Sequence, residues 1–242
     1  MLELIWLPFL LGVLLLVLRP LRENAKARTA YVPASLLLDC GAAVRTALGP
    51  GFSLTLGHLA DNLLIAVKVD SLSRVFLVMG AAIWLLAGVF AFGYLRDDNR
   101  TGWFFVVYLL AFGALCGIAC SANLVTLYLF FEALTLTSSL LVFYPCTHEA
   151  AMAGLKYLFY SIGGAFLALL GIFFLTRMNE GLFFLPGGVA LYTEAVGGDG
   201  VLLLITFLML IGVGAKAGMY PLHGWLPTAH PVAPAPASAV LS

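Results

Sequence analysis

Ile211-Gly212-Val213-Gly214-Ala215-Lys216-Ala217-Gly218-Met219-Tyr220-Pro221 is the stretch that decides the fold. It closes an apolar run that begins at Val201, and it places a lysine fifteen residues into that run among three glycines. Pro221, Pro227, Pro231, Pro234 and Pro236 then follow within sixteen residues, with His223 and His230 between them. Proline removes a backbone donor and breaks a helix. At membrane depth, irregular backbone survives only where protein buries it or a wet cavity adjoins it. A helix broken just after a lysine is the pattern of a transporter ion site. The stretch therefore predicts a membrane helix interrupted at Gly214, Gly218 and Pro221, with Lys216 at the break.

The rest of the chain agrees. Of 242 residues, 62% are hydrophobic and 10% charged, and mean hydropathy is +1.06. A soluble domain is about 45–50% apolar and about 25% charged, so a water-facing globule is excluded. Twelve basic residues balance twelve acidic ones, which leaves no basic footprint for nucleic acid. Four cysteines without a C-x-x-C pair signal neither a zinc site nor an iron–sulfur cluster, and no phosphate loop or dinucleotide fingerprint occurs. No cofactor and no metal are expected.

Runs of about 17–25 apolar residues mark membrane helices. Seven are predicted: Leu2 to Leu18, Tyr31 to Leu48, Leu72 to Leu95, Trp103 to Cys120, Leu124 to Tyr144, Met152 to Leu175 and Val201 to Met219. The second is the weakest, because it carries Asp39 and Arg45. Arg19, Arg22, Lys26, Arg28, Arg96 and Arg100 all fall in loops on one side of this alternation. The positive-inside rule puts that side in the cytoplasm and the N-terminus outside. Gly49 to Lys68 and the glycine-rich stretch Asn179 to Gly200 are expected to be outer loops.

Ionisable groups inside spans are costly and mark ion pathways. Glu132 sits nine residues past Asn123, roughly 13 Å deep. Tyr128, Thr135 and Ser139 fall four before, three after and seven after it, on one helix face. Lys216 lies roughly 22 Å from the start of its run, which leaves an offset of about 9 Å for two long side chains and helix tilt to close. The charge of a buried lysine depends on its partners, which suits a proton carrier. Lys156 opens the sixth run, with Tyr160 one turn further in; it could equally snorkel to the interface. His223 and His230 suit proton relay better than metal binding, with a plain structural role as the alternative.

The segment Lys216-Ala217-Gly218-Met219-Tyr220-Pro221-Leu222-His223-Gly224-Trp225-Leu226-Pro227-Thr228-Ala229-His230, followed by Ala233-Pro234-Ala235-Pro236-Ala237-Ser238-Ala239, closely resembles the hallmark of antiporter-like, proton-pumping membrane subunits. These are the L, M and N subunits of complex I (NADH-quinone oxidoreductase), the large A and D subunits of Mrp cation/proton antiporters, and hydrogenase membrane subunits. Asn123-Leu124-Val125-Thr126-Leu127-Tyr128-Leu129-Phe130-Phe131-Glu132 resembles the family's fifth helix with its glutamate. The resemblance covers roughly residues 70 to 242.

The resemblance implies an all-α polytopic transmembrane bundle containing the first inverted repeat of the antiporter-like fold. Residues 1–100 would hold the first three helices, and 101–242 helices four to seven plus the start of the next segment. Glu132 matches the fifth-helix glutamate and Lys216 the lysine of the broken seventh helix. Lys156 matches a basic residue of the sixth helix, and His223 and His230 match motif histidines. A second repeat with its own lysine would lie beyond Ser242, so residues 1–242 alone are not expected to conduct protons. The expected setting is the inner (plasma) membrane of a prokaryote, with the lipid bilayer, other membrane subunits of a multi-subunit complex and protons, or sodium, as partners. Redox chemistry would belong to other subunits. The alternatives are a member of an Mrp-type cation/proton antiporter and a non-transporting structural membrane piece.

Overall fold

The computed structural model describes residues 3–60, 63–178, 182–185, 187 and 197–241. In chain order it contains α1 (Glu3–Val17), α2 (Arg19–Glu23), α3 (Ala25–Leu48), the strands β1 (Ser53–Ala60) and β2 (Leu63–Lys68), α4 (Ser71–Tyr94), α5 (Thr101–Ala119), α6 (Leu124–Phe143), α7 (His148–Met178) and α8 (Asp199–Lys216). A 3-10 turn (Leu222–Trp225), α9 (Leu226–Val232) and α10 (Ala235–Leu241) follow.

Every predicted span is a helix. α4 to α8 are long and apolar enough to cross a membrane, and α1 is apolar but shorter, at 15 residues. α3 is 24 residues long but less apolar, as Asp39 and Arg45 foreshadow. Side-chain caps set several starts. Asn24, Asp70 and Asn123 accept from the amides of Lys26, Ser73 and Thr126 at 3.0, 3.0 and 2.8 Å, so the first turns of α3, α4 and α6 do not leave these donors empty.

One expected loop is not a loop. Residues 53–68 form an antiparallel hairpin, with Ser53 opposite Lys68 and two register shifts. Leu54 and Leu56 alternate with Ser53, Thr55 and Gly57, a period-two pattern too short to stand out beside the helical runs. β2 is anchored to the α5–α6 turn. Lys68 donates its amide to the Cys120 carbonyl at 2.7 Å, Ala122 to Ala66 at 3.0 Å, and Asn123 Nδ2 to Leu64 at 2.8 Å. The Ala66 amide reaches Thr126 Oγ1 at 2.8 Å, and Phe184 donates to Ala122 at 2.9 Å. This hairpin end of the bundle also joins α1 to α3 through the Glu3–Arg45 ion pair. The opposite, loop end carries α2 and the two short turns after α4 and α6, joined where Tyr144 Oη donates to Asp98 at 2.9 Å. The six basic loop residues named above all lie there.

The core is centred on α5. Phe104, Phe105, Tyr108, Leu109 and Phe112 are buried, and Trp84 and Tyr108 each donate to the other's backbone carbonyl, at 3.1 and 2.6 Å. Lipid is as apolar as leucine, so close packing through small residues holds such bundles together. Gly88 accordingly takes Leu36, and Gly117 takes the Phe130 ring. Leu72, Leu86, Phe159 and Leu203 point outward, as lipid-facing residues do.

Candidate functional site

α7 aligns the two helices that carry the charged residues. It runs antiparallel to α6, which it meets where Ser138 Oγ and Tyr157 Oη share a 2.7 Å hydrogen bond and where Phe143 covers Gly154. It also runs antiparallel to α8, where Gly164 lies directly on the Gly212 carbonyl and Gly171 on Met209. Through these registers Glu132 on α6, Gly163–Gly164 on α7 and residues 212–216 on α8 share one layer. The expected 9 Å offset therefore vanishes. α7 has 31 residues against 20 in α6, and α8 follows its longer neighbour, starting further out than α6 does. Val125, Ile172, Leu175, Met178 and Ile205 fill the space between the staggered starts.

Lys216 reaches back across to α6. Its ammonium donates to the Phe131 carbonyl at 3.2 Å and to the Thr135 hydroxyl, whose own proton goes to the same carbonyl at 2.9 Å. Nζ also stands 4.3 Å from the centroid of the Phe131 ring, a cation–π distance. Glu132 is the next residue after Phe131, yet it is not ion-paired with Lys216. Its Oε1 is buried without a hydrogen-bond partner among the described residues.

The helix break is made at Gly218, a few residues earlier than Pro221. Met219 donates to the Gly214 carbonyl at 2.8 Å and Gly218 to Ala215 at 3.3 Å, with Gly218 at φ +73°. That pairing is a Schellman cap, which needs a left-handed residue at this position. α8 thus stops at Lys216 rather than running on to Met219. The chain turns through Pro221, and Trp225 Nε1 donates back to the Ala215 carbonyl at 2.9 Å, adding a second donor to the one the Gly218 amide supplies and tying the turn to the helix end. The Trp225 ring packs 4.9 Å from Tyr157.

The remaining candidates are dispersed. Tyr160 Oη and the Lys156 side chain both lie against Gly224 in the 3-10 turn. Lys156 also lines a groove of about 840 Å³ between α7 and α9, with Glu149, Phe159, Pro227 and Thr228. His223 is exposed and stacks on Tyr220. His230 packs over Trp225, with Nδ1 2.8 Å from Ser238 Oγ. On α6, Tyr128 is half-buried and Ser139 is buried with its hydroxyl turned to the Leu136 carbonyl. Sequence reasoning missed Ser138, Tyr157 and Trp225. Ser138 lies three residues beyond Thr135, a spacing that could have flagged it.

Both the sequence and the fold have relatives among known proteins. The family model described as NADH:quinone oxidoreductase/Mrp antiporter, transmembrane, matches residues 121–242. The chain belongs to this family. It is 36% identical to the A subunit of the Na(+)/H(+) antiporter of Alkalihalophilus pseudofirmus over 72% of this chain and 22% of that protein. It is 31% identical to the N subunit of the NADH-quinone oxidoreductase of Desulforudis audaxviator over 74% of this chain and 35% of that one. With the D subunit of the Na(+)/H(+) antiporter of Bacillus subtilis it shares 26% identity over 98% of its own length and 48% of the relative's. The chain thus spans half or less of the length of these relatives. Its fold matches a chain of an archaeal respiratory membrane complex, the membrane-bound sulfane sulfur reductase, at TM-score 0.79, 20% identity and coverage of 98% and 48%. It matches a chain of the Mrp complex of a Dietzia species at TM-score 0.74, 18% identity and coverage of 98% and 45%. The bundle is therefore the antiporter-like membrane fold.

Proposed function

We propose that this chain provides a proton-conducting half-channel of an antiporter-like subunit in a larger ion-translocating membrane complex, of the NADH-quinone oxidoreductase kind or a relative. The observation that carries the proposal is the placement of Lys216 on Thr135 and the Phe131 carbonyl, in the same layer as a Glu132 oxygen that has no donor among the described residues. Two opposite charges held close together but unbonded form a switchable contact. Contact with Glu132 holds the proton on Lys216; separation from it releases the proton. Thr135 is the resting partner that keeps the separated ammonium from being wholly desolvated, a state that costs several kcal/mol per ion. From Lys216 the proton passes toward Lys156, Tyr160, His223 and His230 around the broken segment.

Residues 1–100 serve as the supporting helices and 101–242 as the conducting repeat. The N-terminus and the hairpin end face outside and the basic loop end faces the cytoplasm of a prokaryotic cell, as the loop charges favour. Protons are the carried ion. Sodium/proton exchange is the second reading, favoured by the 36% identity to a subunit of a Na(+)/H(+) antiporter.

The test uses the assembled complex in vesicles. Glu132→Gln and Lys216→Ala each abolish proton translocation, Glu132→Asp retains part of it, and the double variant is no worse than either single one. Parental pumping by a normally assembled Glu132→Gln complex overturns the mechanism.

A further inference from the structure

Asp39, on α3, lies outside the line just described. It is 1% exposed, and both carboxyl oxygens are enclosed without a hydrogen-bond partner among the described residues. The groups around it are engaged elsewhere. On its own helix, the Cys40 thiol donates to the Ala81 carbonyl of α4 at 3.3 Å, and Tyr31 Oη donates to the Leu11 carbonyl of α1 at 2.8 Å. From α5 come Cys116, a buried free thiol, and Tyr108, committed to Trp84. At the hairpin end, Arg45 pairs with Glu3, while Arg74 of α4 donates to the Gly49 carbonyl at 3.0 Å. Near the loop end, Arg22 and Arg28 are held by the carbonyls of Leu16 and Arg22. Among the described residues, no cation of α1, α2, α4 or α5 reaches Asp39.

A carboxylate needs donors, and an unpaired one in an apolar interior is untenable. A carboxylic acid brings its own donor and needs only an acceptor. α1 offers one, because Pro8 lies inside it and has no N–H, which leaves the Leu4 carbonyl without its helical donor. Cys40 meets Ala81, Gly80 meets Leu115 and Gly113 meets Pro8, so Asp39 shares a layer with the Leu4–Pro8 turn. Ser35 and Tyr31, four and eight residues before Asp39, continue the same polar face toward the loop end. Ser35 is fully buried and Tyr31 half-exposed, so the face leads from the surface to the carboxyl.

We infer that Asp39 is a second proton-binding site of the bundle: a carboxylic acid that holds its proton at neutral pH, reached along Ser35 and Tyr31, and separate from Glu132 and Lys216. The test is infrared difference spectroscopy of the assembled protein at neutral pH, parent minus Asp39→Asn. Asparagine keeps both the shape and a donor, so the variant should assemble. The difference should show the carbonyl stretch of one protonated carboxylic acid, and this band should shift in D2O at a rate that Tyr31→Phe slows. Should Asp39→Asn fail to assemble, Asp39→Glu reports instead, by moving the same protonated band. A difference confined to the carboxylate stretches, in either variant, overturns the proposal, and an exchange rate unmoved by Tyr31→Phe overturns the route.

Discussion

Lys216 donates to Thr135 and not to Glu132, although the two α6 residues are only one turn apart. The ammonium therefore rests on a neutral hydroxyl beside an unused carboxyl oxygen. In the proposed mechanism the cation moves between these two positions, and the hydroxyl sets their balance.

Thr135→Val removes that hydroxyl with little change in shape. A hydrogen bond to a charged group is worth roughly 1.5–3 kcal/mol. The variant should favour the lysine–glutamate contact and slow translocation by about tenfold, whereas Thr135→Ser should stay near the parental rate. Proton uptake by vesicles carrying the assembled complex checks both. Equal rates in Thr135→Val and the parent would remove the hydroxyl from the mechanism.

The α7–α8 contact makes a second prediction. A Cβ on Gly164 would strike the Gly212 carbonyl, while one on the adjacent Gly163 would meet nothing within 4 Å. Gly164→Ala should therefore force the helices apart, at a cost of about 1–3 kcal/mol, and carry Lys216 away from Thr135. Gly163→Ala should be neutral or slightly stabilising. Thermal unfolding in detergent separates the two variants, and equal melting temperatures would contradict the described contact.

The contrast between these glycines shows where sequence reasoning reached and where it stopped. Both are Gly in an apolar run, and only the neighbouring helix tells them apart. Glu132 and Lys216 stood out because charge within a membrane run has few explanations. Their shared depth did not, because counting residues from each helix start assumes that all helices start in one plane, and α8 follows the long α7 outward. Thr135 was visible as a member of the polar face. Tyr157 was not, because its partner Ser138 lies on another helix and Lys156 drew attention to the neighbouring position. The break was visible as proline and glycine, but only the backbone pairing shows that Gly218 ends the helix before Pro221 is reached.

A third prediction concerns acid. Asp70 caps α4 just outside the span, and its carboxyl is held below the usual carboxylate range, chiefly by the Ser73 amide, with smaller help from the Ser73 hydroxyl and Lys68. A lowered folded-state value stabilises above the unfolded value and is lost as pH falls through the folded one. Melting temperature should thus drop with acidification below the ordinary range for aspartate. Asp70→Asn should flatten this part of the profile while keeping the cap, and Asp70→Ala should cost about 1 kcal/mol at neutral pH. An unchanged acid profile in Asp70→Asn would exclude the cap as its source.

The hairpin gives α6 an unequal pair of ends. Asn123 and Thr126 are fastened to β2 by two short bonds beside the helix backbone, whereas the far end of α6 is tied to its neighbours through the long Tyr144 side chain, on Asp98. A rod pinned at one end swings about the pin, and each point travels in proportion to its distance from it. Glu132 lies about 13 Å from Asn123, and Ser138 about 22 Å. A tilt of α6 about its hairpin end would therefore move Ser138, with its bond to Tyr157, about 1.7 times as far as the Glu132 position, so the hairpin end is where the helix has least room to shift.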